Sequence, residues 1–188
     1  MDIQIKDLSH RFGEKSVFEH FDLTLQDGGL YGLTAPSGRG KTTLLRILMG
    51  LLSHDAGTIS QGVRYSAVFQ TDRLLPGRCA VDQLLFVRGS KKDRAEAARF
   101  LAGLLPENSL EQSVGELSGG MQRRVAIARA LWAESDCLLM DEPFTGLDEA
   151  TLRQTLDFIL AKRQGRTLLL STHQKELLTD YPFEWLRI

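Results

Sequence analysis

Between positions 30 and 52 a short apolar segment, Leu30-Tyr31-Gly32-Leu33-Thr34, runs directly into Ala35-Pro36-Ser37-Gly38-Arg39-Gly40-Lys41-Thr42 and then into helix-forming residues. Strand, small-residue loop and helix in that order point to an α/β architecture with a ligand at the strand end. The loop matches G-x-x-x-x-G-K-[ST] at every defined position but the first, where Ala35 replaces glycine. Small residues let backbone N–H groups turn inward around a polyphosphate, and the helix adds the positive end of its dipole. Pro36, Ser37, Gly38, Arg39 and Gly40 are therefore expected to cradle phosphates, with Lys41 reaching the β and γ phosphates. The Thr42 hydroxyl is expected to bind Mg²⁺, and Thr43 follows it in the first helical turn. If position 35 needs a positive φ, alanine there costs on the order of 1 kcal/mol. The helix is expected from Lys41 to Leu52, with Leu44, Leu48 and Leu51 forming one buried stripe at i, i+4 and i+7.

The chain has 188 residues, 43% hydrophobic and 25% charged, enough apolar material for a core and too much for wholesale disorder. One compact unit with a modest subdomain fits this length. With 23 basic against 24 acidic side chains the net charge is −1, so no nucleic-acid partner is expected. Cys79 and Cys137 match neither metal-ligand nor redox spacing, which fits a reducing compartment. The N-terminus does not read as a secretory signal, and no stretch approaches the ~18 apolar residues needed to span a bilayer.

Period-two alternation in Ile3-Gln4-Ile5 and Phe21-Asp22-Leu23-Thr24-Leu25 predicts half-buried strands of a small antiparallel sheet. Val63 to Phe69 reads as a strand, and Leu74 to Leu105 changes to helical spacing through Val81, Leu84, Leu85, Ala95, Ala98, Leu101 and Leu105. Ser118 stands where a helix N-cap belongs, ahead of a core stripe at Met121, Val125, Ala128 and Trp132; the adjacent Arg123 and Arg124 read as a solvated face. Cys137-Leu138-Leu139-Met140 is a buried-strand run that ends in Asp141-Glu142-Pro143. A helix follows from about Asp148 to Lys162, then a strand over Thr167 to Ser171 and a last one within Phe183 to Ile188.

Asp141 and Glu142 lie at a strand end, where open α/β sheets bind ligands. Asp141 is expected to assist Mg²⁺ through its hydration shell, and Glu142 to orient and deprotonate a water for attack on the γ phosphate. Leu117-Ser118-Gly119-Gly120-Met121-Gln122 resembles the signature of ATP-binding cassette (ABC) ATPases, and the family's other landmarks stand in order around it. Phe12 matches the aromatic that stacks on adenine, and Gln70 the glutamine at the border of the helical subdomain. Gly146-Leu147-Asp148 looks like the loop at the dimer seam, and His173 in Ser171-Thr172-His173 like the switch histidine. The resemblance runs from about Ile3 to the C-terminus.

The resemblance implies a single nucleotide-binding domain over 1–188. Its expected parts are a P-loop NTPase core of mostly parallel sheet flanked by helices, a small antiparallel β subdomain, and a helical signature subdomain at about 72–132, with no C-terminal regulatory domain. It implies a Mg²⁺-dependent ATPase in which two cassettes face head to tail. Lys41 and Thr42 of one hold an ATP that Ser118, Gly119 and Gly120 of the other cap, with Asp148 at the seam. Glu142, His173 and Gln70 are the implied catalytic set, and Thr42, Gln70 and Asp141 the implied metal contacts. The segment Val68 to Pro76 looks like that of bacterial importers for nitrate, sulfonates and taurine. The implied partners are transmembrane permease subunits, an identical or paired cassette, and a solute-binding protein, with this chain peripheral on the cytoplasmic face of the membrane. The border segment from Gln70 to Val87 is the expected permease dock, with Leu74 or Leu75 as anchors. A soluble ABC ATPase is the alternative, and it would normally show two cassettes, a coiled coil or a basic surface. A binding module without hydrolysis is a third, against which Lys41, Glu142 and His173 speak. Lys41 and Gln70 stand 29 residues apart, tighter than usual for the family.

Overall fold

The amino-terminal alternation becomes two long strands in the computed structural model, which describes residues 1–36, 38–88 and 94–188. In chain order the first elements are β1 (Ile3–Phe12), β2 (Lys15–Leu25), β3 (Leu30–Thr34), α1 (Lys41–Leu48), β4 (Ala56–Ile59) and β5 (Tyr65–Val68). They are followed by α2 (Ala80–Arg88), α3 (Arg94–Leu101), α4 (Gly119–Trp132), β6 (Cys137–Asp141), α5 (Glu149–Lys162), β7 (Thr167–Ser171) and β8 (Glu184–Arg187). They divide between two units, one of residues 1–65, 135–141 and 165–188, the other of 66–134 and 142–164. No helix among the described residues is long and apolar enough to cross a membrane.

The first unit holds a three-stranded antiparallel sheet in the order β2-β1-β4 and a parallel ladder in the order β6-β7-β3-β8. Every residue of β6 and β7 is buried, as expected of parallel strands covered on both faces, and this explains their unbroken apolar runs. In β1, Ile3, Ile5 and Leu8 turn inward and register shifts accommodate the bulged pairing with β2. The strand expected at Leu30 to Thr34 has those bounds. The helix after the loop is shorter than expected: α1 ends at Leu48, Gly50 adopts φ 67°, and Leu51 is 58% exposed, outside the stripe that keeps Leu44 and Leu48 buried. A left-handed glycine just past the last turn stops a helix more decisively than one further apolar residue extends it.

The second unit packs α2, α3, α4 and α5 around Val81, Leu84, Ala97, Leu101, Val125, Ala128 and Trp132. Phe100 meets both Trp132 and Phe158 edge-on at 5.2 Å, a geometry favoured by the ring quadrupoles. The helical character expected from Leu74 begins only at Ala80, and α3 turns Ala97 rather than Ala95 into the core. Ser118 caps α4, its hydroxyl accepting from the Met121 N–H at 3.3 Å.

Candidate functional site

The parallel ladder delivers the loop after β3 and the acid at the end of β6 within the first unit. The Lys41 ammonium donates to the Ala35 carbonyl at 2.7 Å and is buried. Ala35 is not among the non-glycine residues with positive φ, so the strain anticipated there is absent. Gly40 carries the demanding conformation instead, φ 104° at the N-cap of α1. A Cβ on it would stand 2.7 Å from Val17 Cγ1 and 3.0 Å from Phe18 Cζ, so only glycine fits both the turn and the space. Gly38, at φ 75°, has open space around it. Ser37, expected in the phosphate cradle, lies outside the described residues. Pro36 and Arg39 are exposed, the Arg39 N–H donating to the Pro36 carbonyl at 3.3 Å, and Thr42 and Thr43 are half-buried in the first turn of α1.

Asp141 is buried at the last position of β6. Its Oδ2 accepts from the Thr42 hydroxyl at 2.7 Å and its Oδ1 from the Ser171 hydroxyl at 2.7 Å. Ser171 is its register partner across the β6–β7 ladder. A carboxylate so held, beside a hydroxyl at a phosphate-type loop, is a hard oxygen donor set of the kind Mg²⁺ shares with phosphates. The residues present fit that ion.

A cavity of about 300 Å³ opens beside the loop, lined by Lys15, Ser16, Val17, Gly38 and Arg39. Phe12, opposite Lys15 across the β1–β2 hairpin, is 52% exposed and meets the His10 ring edge-on at 4.7 Å. An aromatic held out of the core, paired with a residue that lines a basic cavity, offers a stacking face. His173 is exposed just beyond β7, after the buried Thr172.

The second unit carries the remaining expected residues. Ser118 and Gly119 are exposed and Gly120 half-buried. A Cβ on Gly119 would meet nothing within 4 Å, and one on Gly120 would meet Leu147 Cδ2 at 3.2 Å, so the fold itself does not require glycine at 119. Asp148 caps α5: its Oδ1 accepts from the Thr151 N–H at 2.8 Å and its Oδ2 from the Thr151 hydroxyl at 3.1 Å. Those bonds, the backbone one foremost, hold its carboxyl below the usual carboxylate range. Glu142 sits in the left-handed region at φ 49°, a conformation uncommon outside glycine and concentrated at functional sites.

The solvated face expected of Arg123 is overturned. Its side chain is 4% exposed and reaches the carbonyls of Phe69, Gln70 and Glu142 and the carboxylate of Asp72. Arg124 is half-buried and donates to the Gly120 and Leu104 carbonyls. Leu74 packs on the helical core while Leu75 stays 50% exposed, which leaves only the latter as a surface anchor. Sequence reasoning gave neither Ser171 nor Arg123 a part in the site. Ser171 stood in view beside His173, and its pairing with Asp141 follows once the β6–β7 register is known.

A family model described as ABC transporter matches residues 18–145. The aliphatic sulfonates import ATP-binding protein SsuB 1 of Nocardia farcinica is 38% identical over 174 residues, 91% of this chain and 71% of that protein. The taurine import ATP-binding protein TauB of Escherichia coli is 38% identical over 189 residues, 93% and 74% of the two chains. The Nod factor export ATP-binding protein I of Burkholderia lata is 39% identical over 194 residues, 93% of this chain and 63% of that protein. Among solved structures, a dimeric post-hydrolysis ATP-binding cassette bound to ADP and Pi superposes with TM-score 0.81 at 25% identity, covering 93% of this chain and 89% of that one. A nucleotide-free cassette from an ABC transporter gives TM-score 0.86 at 21% identity, covering 100% and 88%, and shows the shared fold.

Proposed function

The chain belongs to the ABC transporter family and is an ATPase of that type, and we propose that it drives a membrane permease, importing a small solute by closing and opening a head-to-tail pair of cassettes around ATP. The observation that carries this reading is the Asp141 carboxylate, fixed at the end of β6 between the hydroxyls of Thr42 and Ser171. That arrangement supports placing the phosphates of ATP and their counterion there in this reading.

In this reading Phe12 stacks on the adenine, and Pro36 to Gly40 with Lys41, Thr42 and Thr43 hold the phosphates. Thr42, Asp141 and Gln70 would hold Mg²⁺, which supplies charge neutralisation on the phosphate oxygens. Glu142 takes a proton from the attacking water, and its left-handed backbone fixes the direction in which the carboxylate leaves the strand end. His173 holds the γ phosphate and that water in place. Ser118, Gly119 and Gly120 offer bare N–H groups at the start of α4 to the ATP of a second copy or a paired cassette, the use best matched to a glycine that its own fold leaves open. Asp148 lies at the seam between the two. Support for import comes from the sulfonate and taurine import proteins among the relatives, each 38% identical to this chain. Membrane-spanning subunits and a solute-binding protein are the partners such an importer needs, and they would hold this chain at the inner face of the membrane.

The test is Glu142→Gln in the full chain. Every phosphate ligand remains, so ATP affinity is expected to stay within about threefold while turnover falls by at least ~10²-fold. Light scattering should then find an ATP-dependent dimer. Turnover at the wild-type rate, or a monomer at saturating ATP, refutes the reading.

A further inference from the structure

Arg123 is one of the few buried charged side chains among the described residues, and no expectation from the sequence gave it work. Its Nη1 donates to the Phe69 carbonyl at 2.6 Å and to Asp72 Oδ1 at 2.7 Å, and its Nη2 to the Gln70 carbonyl at 3.2 Å and the Glu142 carbonyl at 2.9 Å. One guanidinium therefore gathers the backbone of two residues assigned to catalysis, which stand 72 positions apart. From the same helix Arg129 donates to the carbonyls of Asp72 and Arg73 at 2.9 and 2.8 Å, and the Arg73 guanidinium lies 3.8 Å from the centre of the Phe69 ring. The carbonyls of residues 69, 70, 72 and 73 are thus all gripped by arginines of α4, the helix whose first turn is Gly119-Gly120-Met121. Glu142 and Arg73, at φ 49° and 48°, hold conformations that a free loop would leave.

We propose that Arg123 is a positioning residue that locks the backbone of Gln70 and of Glu142 to the signature helix, so that it sets the rate of hydrolysis and not the affinity for nucleotide. The physical reason lies in the fork. A planar guanidinium presents donors in fixed directions to several acceptors at once, whereas an ammonium is a point charge on a flexible stem. Asp72 balances the buried charge, and the three carbonyls take the remaining donors, so the group is both satisfied and rigid. Removing it takes the guanidinium donor from the Phe69 and Gln70 carbonyls, leaves the Glu142 carbonyl only the longer bond from the Thr145 N–H at 3.3 Å, and lets the Glu142 backbone relax from the left-handed region. The phosphate-binding loop, made of other residues, keeps its contacts.

The inference rests on the proposed roles of Glu142 and Gln70, and the experiment separates the two. Full-length Arg123→Gln, Arg123→Lys and Glu142→Gln are compared for kcat, KM, ATP affinity by calorimetry and thermal unfolding. Arg123→Gln is expected to lose at least tenfold in kcat with ATP affinity within threefold, and Arg123→Lys, which keeps the charge for Asp72 but not the fork, to fall with it. Wild-type kcat in Arg123→Lys, or a loss of affinity parallel to the loss of kcat, overturns the inference. If Glu142→Gln is inactive while Arg123→Gln turns over normally, the Arg123 inference alone fails; if Glu142→Gln is fully active, the underlying reading fails first. Hydrogen exchange on the wild-type protein decides the matter even where a variant does not fold. Amides of 69–73 and 142–145 should open together with the first turns of α4, and independent opening overturns the lock.

Discussion

Two glycines of the candidate site should respond to alanine in opposite ways. At Gly40 a Cβ meets Val17 Cγ1 at 2.7 Å and Phe18 Cζ at 3.0 Å, and φ is 104°. The left-handed backbone costs roughly 1–2 kcal/mol for an L-residue, and overpacking against a stiff β-branched side chain adds roughly 1–3 kcal/mol. For a chain of 188 residues, at roughly 2–4 °C per kcal/mol, Gly40→Ala should lower Tm by roughly 4–20 °C. At Gly119 nothing lies within 4 Å of the added methyl and no positive φ is involved. Alanine there trims the freedom of the unfolded chain and should raise stability by about 0.4–1 kcal/mol, a Tm gain of a few degrees. Scanning calorimetry without nucleotide reads both, and light scattering with ATP in the Glu142→Gln background reads dimer formation. Gly119→Ala should be as stable as the parent or more so, yet should form the ATP-dependent dimer at least tenfold less well, because the methyl fills space the fold leaves for an approaching group. A lowered Tm in Gly119→Ala would refute the packing argument, and normal dimerisation would refute the capping role.

Two further outcomes follow from the same geometry. Ala35→Gly should change ATP affinity by less than about threefold, since alanine there is unstrained and at most a few tenths of a kcal/mol are at stake; a tenfold gain by calorimetry would mean that the natural loop is disabled. Leu75→Asp should leave ATP binding intact and Tm within about 2 °C, because a half-exposed side chain away from the core shifts stability by less than ~0.5 kcal/mol, while it abolishes co-purification with the permease; unchanged co-purification removes Leu75 from the docking surface.

The elements that carry the chemistry were legible because local patterns dictate them. Leu30–Thr34 is a strand ending where its apolar run meets Ala35-Pro36, and Ser118 caps α4 because its hydroxyl satisfies an N–H of the first turn. The helix α1 was over-extended because Leu51 falls on the apolar period, whereas the stop comes from the conformation of Gly50, which periodicity does not encode. Arg123 was misjudged for a different reason. Two adjacent arginines in a helix look like a charged face, and burial of one is decided by carbonyls 54, 53 and 19 residues away. The left-handed Glu142 leaves no mark in composition or spacing either, since its geometry follows from the strand end it leaves and the donors that hold its carbonyl.

Asp141 and Ser171 face each other because β6 and β7 run in parallel register, residue against residue from Cys137 opposite Thr167. The orientation of one acid is thereby written into an interlocked ladder rather than into a loop. Loops on this scaffold can lengthen, shorten or change sequence over evolutionary time without turning that carboxylate. A slip of one position along β7 would exchange Ser171 for Leu170 or Thr172 and reverse which face each residue of the strand presents. The strands beneath the loops are thus the conservative part of the machine, and diversification of what it serves is expected everywhere but there.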